Sequence, residues 1–158
     1  MKRIINPWQG MEGYGCYGCC PDHNSGLRME FMEDGNEVVS RWVPTREFEG
    51  WRNTLHGGIQ ATLADEIASW VIFRKLQTGG VTSKMEVRYL RPVRISDGAI
   101  ELRARIVEQR RNLVRIAVTL TNGLGERAAE VECLYFTFPK ERSVEEFAFR
   151  EFRCEGEE

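Results

Sequence analysis

The sequence predicts an α+β fold, a curved antiparallel sheet wrapped around one long central helix. Three observations predict it. Segments that alternate between apolar and polar residues come in the order two strands, one helix, four strands. The connections between strands are short and rich in turn residues, which suits antiparallel neighbours. The one helix is apolar on nearly every side, and such a helix is a buried one. A single helix can serve six strands only if the sheet curls around it.

Residues 1–26 hold Pro7, Pro21, several glycines and three of the five cysteines, and read as an irregular N-terminal arm. The first strand is expected at Leu27–Met32, where Leu27, Met29 and Phe31 alternate with Arg28, Glu30 and Met32. Asp34-Gly35 makes the turn, because glycine accepts the positive φ of primed hairpin turns. Val38–Val43 is the returning strand and Pro44 stops it. A polar loop over 44–55 carries Trp51. The helix is expected from His56 to Leu76, closed by Gln77-Thr78-Gly79-Gly80, whose glycines suit a C-terminal cap. Four strands follow: Val81–Leu90, Ala99–Val107, Leu113–Leu120 and Ala128–Phe138. Pro92 lies just past the first of them, and Asn122-Gly123-Leu124-Gly125 turns into the last. Residues 27–138 thus make the domain. Residues 139–158 form an acidic tail whose Phe147, Phe149 and Phe152 are spaced to lay one side on an apolar surface.

A length of 158 residues suits one domain with a real core. With 42% hydrophobic and 29% charged residues, the chain is not disordered, collagenous or a small disulfide scaffold. Its 22 basic and 24 acidic residues leave no positive excess for nucleic acid. The start lacks the apolar stretch of a secretory leader. Ile59–Phe73 is the longest apolar-rich stretch, and Gln60, Asp65 and Glu66 interrupt it, so no membrane span is expected. Five cysteines cannot all pair within one chain. A cytoplasmic protein with reduced thiols is the expectation.

Within the helix, Ile59, Leu63, Ile67 and Trp70 share one side, Ala64, Ala68 and Val71 extend it, and Ala61 and Ile72 carry it further. Asp65 falls between Ile72 and Leu76 on that wheel. A carboxylate in apolar surroundings is costly unless paired or hydrogen-bonded, which makes Asp65 a candidate base or nucleophile. The alternative reading puts it on a solvated strip with Thr62, Glu66 and Ser69. At the helix head, His56-Gly57-Gly58 offers free amides carrying partial positive charge, with room for a ligand atom to approach. An oxyanion needs such a place. The other reading is a plain turn.

Together these residues spell H-G-G-x4-L-x-D-x2-A, from His56 through Leu63, Asp65 and Ala68, after Phe48-Glu49-Gly50-Trp51. Val81 to Pro92 reads as the strand that follows. This resembles the hotdog-fold acyl-CoA thioesterases of the phenylacetate-degradation type, over residues 27–138. The Cys16 to Asn24 segment also resembles one that precedes the first strand in some members. The resemblance implies a homodimer, or a homotetramer built from two, with active sites at the subunit interface. It implies an acyl-CoA thioester substrate and neither metal nor cofactor. Carried over, the Gly57 N–H polarises the thioester carbonyl and Gly58 shapes the turn. Asp65, from the facing subunit, activates water or attacks directly. Thr82 helps hold that water, with Ser83 as its neighbour, and His56 orients the loop or contacts the substrate on its carbonyl side. Several members have an Asn where this chain has Gly50; Asn53 and Glu47 are the nearest polar candidates. Glu66 is a fallback base pointing about 100° away from Asp65.

Two further clusters carry two readings each. Cys16, Cys19, Cys20 and His23 have partly ligand-like spacing for zinc but lack a second pair, and free thiols are the alternative. Arg103, Arg105, Arg110, Arg111 and Arg115 either attract coenzyme A phosphates or form a solvated sheet face. Besides hydrolysis, the sequence leaves open a hotdog dehydratase or hydratase, and a non-catalytic module that binds acyl-CoA.

Overall fold

The structure is a computed structural model and describes all 158 residues. Seven strands form one antiparallel sheet: β1 (Lys2–Arg3), β2 (Met32–Asp34), β3 (Glu37–Trp42), β4 (Gly80–Tyr89), β5 (Ile100–Arg110), β6 (Leu113–Thr121) and β7 (Arg127–Thr137). Their spatial order is β1-β2-β3-β5-β6-β7-β4. The central helix α1 (Gly57–Val71) runs on through a π-helical turn, Ile72–Leu76, and a short helix α2 (Lys140–Phe147) follows β7. The curved sheet around one long helix is the expected architecture.

The helix is buried because the sheet meets it from several sides: α1 touches β3, β4, β5, β6 and β7. Leu63, Ala64, Ile67, Ala68, Trp70 and Val71 are all buried. They face the inward positions of the strands, among them Leu102, Val114, Ile116, Val118 and Leu120. The alternation read in β5 and β6 is therefore the alternation between helix side and solvent side.

Three expectations need correction. The first strand is not Leu27–Met32 but only Met32–Asp34. Leu27, Met29 and Phe31 are buried, so the alternation is real. Yet Arg28 has φ +51°, which bends the chain out of ladder geometry. The seventh strand, Lys2–Arg3, lies in the supposedly irregular arm and pairs with Met32 and Glu33. The helix ends on Gln77 at φ +52°, not on a glycine. Its side-chain amide repays this by donating to Arg74 O at 3.0 Å and Phe152 O at 2.9 Å.

The tail aromatics behave as their spacing suggests, in part. Phe152 and Phe149 are buried, and Phe152 meets Trp70 edge to face at 5.0 Å between centroids. Phe147 is instead half out, stacked on Phe138 at 5.2 Å. The chain ends meet: Ile4 bridges to Cys154. Arg74 fastens this corner through a two-pronged pair with Glu33, at 2.9 and 3.0 Å, and a bond to Glu157 at 2.7 Å. Lys75 joins on the same Glu33 carboxylate.

These bonds, Arg74 first, hold the Glu33 carboxyl down at about 2, against 4.5 for a free glutamate. A depressed carboxyl stabilises the fold above pH 4.5, and that contribution is lost as pH falls toward 2. Glu33→Gln should therefore lower stability by about 2 kcal/mol at pH 7, discounted for a site one-fifth exposed. Urea melts at pH 7 and pH 2.5 check it: the gap between variant and parent should shrink at the lower pH.

Candidate active site

The loop before α1 is tied down before the helix starts. Leu55 N–H donates to Val93 O at 2.8 Å and His56 N–H donates to Phe48 O at 2.9 Å. His56 then caps the helix: its Nδ1 accepts from Gly58 N–H at 2.9 Å. A neutral ring accepting at Nδ1 carries its proton on Nε2. The amides of Ile59 and Gln60 both reach back to His56 O, at 3.0 and 3.1 Å. Of the first four amides, which a helix ordinarily leaves unpaired, only Gly57 N–H has no partner. Tyr89 on β4 donates its hydroxyl to Gly57 O at 2.6 Å and fixes that peptide from the other side.

Gly57 opens on a cleft of about 900 Å³. Trp51, Arg52, Tyr89 and Arg91 are among the residues that line it, as are His56 and Gln60. Gln60 is buried and donates through Nε2 to Leu55 O at 3.3 Å. Its Oε1 has no partner. The cleft therefore presents an unpaired backbone donor at Gly57 and a buried unpaired acceptor at Gln60. Nothing in the sequence reading singled out Gln60 or Tyr89.

Asp65 sits two turns along α1, about 12 Å from Gly57 at 1.5 Å per residue. Its Oδ1 accepts from Thr82 Oγ1 at 2.6 Å and from the Tyr135 hydroxyl at 2.8 Å. Tyr135 also donates to Asp65 O at 2.8 Å. Oδ2 is left without a protein partner. Burial pushes the Tyr135 hydroxyl far up, with the Asp65 charge as the second cause, so it stays a donor. The same two causes raise the neighbouring Cys133 thiol to about 12. Asp65 is thus half-buried, with two donors fixed on one carboxylate oxygen.

Thr82 reaches Asp65 through a backbone irregularity. Thr82 pairs with Tyr135 and Lys84 with Leu134, so Ser83 is an extra residue, a β-bulge. Met85 and Val87 pack on the core, and Tyr89 reaches Gly57. All three are odd-numbered, and unbroken alternation would turn Thr82 to the opposite face. The bulge reverses the parity and aims Thr82 inward. Ser83 is exposed on the bulge.

The structure therefore brings Asp65, Thr82 and Tyr135 together at one place and His56, Gly57 and Gly58 at another. Within one chain the two places are apart. Asn53 joins neither. It is locked to Ser96, donating to its Oγ at 2.8 Å and accepting from its N–H at 3.0 Å, and it does not line the cleft. Its role is to hold the loop against the segment between β4 and β5. Glu66 points away from Asp65 and meets Cys16 and Trp70. Ligand atoms of Cys16, Cys19 and Glu66 lie within 4.8 Å of one another, as do those of Glu33, Cys154 and Glu157, while Cys20 and His23 of the sequence expectation are in neither group. Arg103 is paired with Asp34, Glu37 and Glu101, and Arg115 with Glu108 and Glu132. Arg110 is paired with Glu108, while Arg105 and Arg111 make no ion pair.

Residues 52–129 match the family model of the thioesterase superfamily. The match covers just under half of the chain. Mouse acyl-coenzyme A thioesterase 13 is 36% identical over 70 residues, which are 44% of this chain and 49% of that protein. The chain thus spans about half the length of the curated relative it matches. Among solved structures, zebrafish thioesterase superfamily member 2 is 25% identical, with a TM-score of 0.64 over 75% of this chain and 86% of that one. A Streptococcus mutans protein bound to acetyl CoA is 22% identical, with a TM-score of 0.65 over 71% and 90%. These two structures thus share the fold seen here. These matches stop at the superfamily and do not reach the phenylacetate-degradation type. No helix of the chain is long and apolar enough to cross a membrane.

Proposed function

We propose that this protein hydrolyses an acyl-CoA thioester to a free acid and coenzyme A, with its active sites shared between two copies. One observation carries the reading: a single unpaired amide stands at the head of a buried helix, in a cleft that Asp65 of its own chain does not line. Gly57 N–H donates to the thioester carbonyl oxygen, where negative charge builds as the carbon is attacked. Asp65 of a second copy acts on that carbon, as the base that takes a proton from water or as the direct nucleophile. Thr82 and Tyr135 fix its Oδ1 and leave Oδ2 for the chemistry. The C–S bond then breaks and the coenzyme A thiol leaves. His56 and Gly58 hold the turn in shape.

The edge of the sheet supports the second copy. β4 pairs only with β7, so ten residues of backbone on its other side are unpaired, and Val81 and Tyr89 there are about half exposed. Long bare edges are sites of strand pairing. A two-fold antiparallel pairing of β4 with its copy lays the Thr82 end of one strand beside the Tyr89 end of the other. Thr82 carries Asp65 and Tyr89 carries Gly57, so the pairing joins the two halves of the site. Dimers of this kind can pair again into tetramers. The five unpaired thiols favour a reducing, cytoplasmic setting.

Hydration chemistry on the same scaffold wants a His paired with an acid. Here His56 Nδ1 is taken by Gly58 and His23 Nδ1 by Ser25 N–H, and neither ring bonds a carboxylate. The test is the full chain with a panel of short, medium and aromatic acyl-CoA esters and a thiol reagent. Release of coenzyme A above the uncatalysed rate is the expected result. Tight binding of the panel without release makes the protein a binding module and overturns hydrolysis.

A further inference from the structure

The N-terminal arm brings a cysteine pair onto the central helix beside a carboxylate the proposed reaction leaves idle. Residues 16–20 form one helical turn, with Cys20 N–H donating to Cys16 O at 3.0 Å. Cys16 opens the turn and Cys19 follows three residues on. Their sulfurs and a Glu66 oxygen lie within 4.8 Å of one another. Cys16 Sγ bonds Glu66 Oε1 at 3.4 Å, and Trp70 Nε1–H donates to the same oxygen at 3.3 Å. The Tyr14 hydroxyl is 2.9 Å from Cys19 Sγ, and Asn6 Nδ2–H donates to that hydroxyl at 2.9 Å, which turns the phenol proton toward the sulfur. A Cβ on Gly18 would collide with the Glu66 carboxylate, so the turn closes on Glu66 only because residue 18 is glycine.

The two sulfurs differ in the way a thiol–disulfide couple requires. Cys16 is partly exposed and Cys19 is buried.

We propose that Cys16 and Cys19 form a redox-active dithiol that exchanges with low-molecular-weight disulfides, Glu66 serving as proton acceptor for Cys19. The Cys16 thiolate attacks one sulfur of the external disulfide. A Cys16–S bond forms, the external S–S bond breaks, and one thiolate leaves. Cys19 then gives its proton to the Glu66 carboxylate, and its sulfur attacks Cys16. The Cys16–Cys19 bond forms and the second thiolate departs. The protein loses two electrons and two protons, and the external disulfide is reduced to two thiols. Residues three apart in one turn can meet disulfide geometry after a small shift of the turn. The proposal is independent of the thioesterase reading.

The test uses the fully reduced full chain and oxidised glutathione, with quenching by an alkylating agent and peptide mapping. The expected product in the parent protein is a Cys16–Cys19 disulfide, lighter than the dithiol by two hydrogens. Cys19→Ser should accumulate glutathione on Cys16, and Cys16→Ser should lose both adduct and disulfide. Glu66→Gln should slow the second step, so that the mixed disulfide builds up. Cys20→Ser should behave as the parent. A disulfide joining any other pair, no disulfide at all, or a tightly held zinc that shields both thiols would overturn the proposal. The mapping in the parent protein stands even where a variant fails to fold.

Discussion

Asp65→Asn should cut thioester hydrolysis by about 10²–10⁴-fold, the range a positioned base supplies, while leaving the fold as stable as the parent. The geometry makes this substitution unusually clean. Thr82 and Tyr135 both donate to the Oδ1 position. The new amide must turn its oxygen there, because its NH₂ cannot accept. The NH₂ then occupies the Oδ2 position, where no protein bond is lost. Nothing in the packing changes, and only the capacity to take a proton or attack carbon is lost. Asp65→Ala should be equally inactive. It too should fold, because Tyr135 keeps its bond to Asp65 O and Thr82, being exposed, turns to solvent. Steady-state thiol release together with thermal melts checks both variants. Retention of more than a tenth of the parent rate by Asp65→Asn would remove Asp65 from the proposed chemistry.

Much of this architecture was legible in the sequence because burial imposes period. The helix and the four strands after it were read from apolar spacing, and their ends moved by a few residues. Where a local conformation broke the period, reading failed. Arg28 at φ +51° interrupts a strand whose side-chain alternation is otherwise intact. Lys2–Arg3 is too short to carry a pattern, and it is a strand only because Met32 and Glu33 offer it an edge. The bulge at Ser83 is invisible to alternation, which by itself turns Thr82 away from Asp65; family resemblance, not period, nominated Thr82. Tyr135 was passed over because it occupies an inward position of β7 between Cys133 and Thr137, where an aromatic ring needs no explanation. The usable signal was chemical: a hydroxyl in a buried position wants a partner. Asn53 misled for the reverse reason. It is a polar residue near the turn, spent on Ser96. Glu66, seen only as a fallback for Asp65, faces the arm, and no one-dimensional pattern joins residue 66 to residues 16 and 19.

The shared character of the site gives the second large effect. Gly57→Pro deletes the one unpaired amide at the helix head. Proline is well suited to the first position of a helix, where no intrahelical bond is lost and its fixed φ is already helical. His56, the preceding residue, is extended at φ −56° and ψ 132°, as a pre-proline residue must be. The crowding is at Tyr89, whose hydroxyl would lie 3.3 Å from a Cβ at this position. Tyr89 is about half exposed and can give way. The variant should therefore fold, and kcat should fall by about 10²–10³-fold, as for loss of one oxyanion donor. Mixing then separates a shared site from a private one. A heterodimer of Gly57→Pro with Asp65→Ala has one site bearing both defects and one bearing neither. Random exchange of equal amounts should restore about a quarter of the parent rate, because half of the dimers each recover one site in two. If each chain used its own Asp65 with its own Gly57, every site in the mixture would carry one defect and no activity would return. Recovery on mixing, against two inactive parents, thus tests in one measurement the amide, the carboxylate and the strand pairing that joins them.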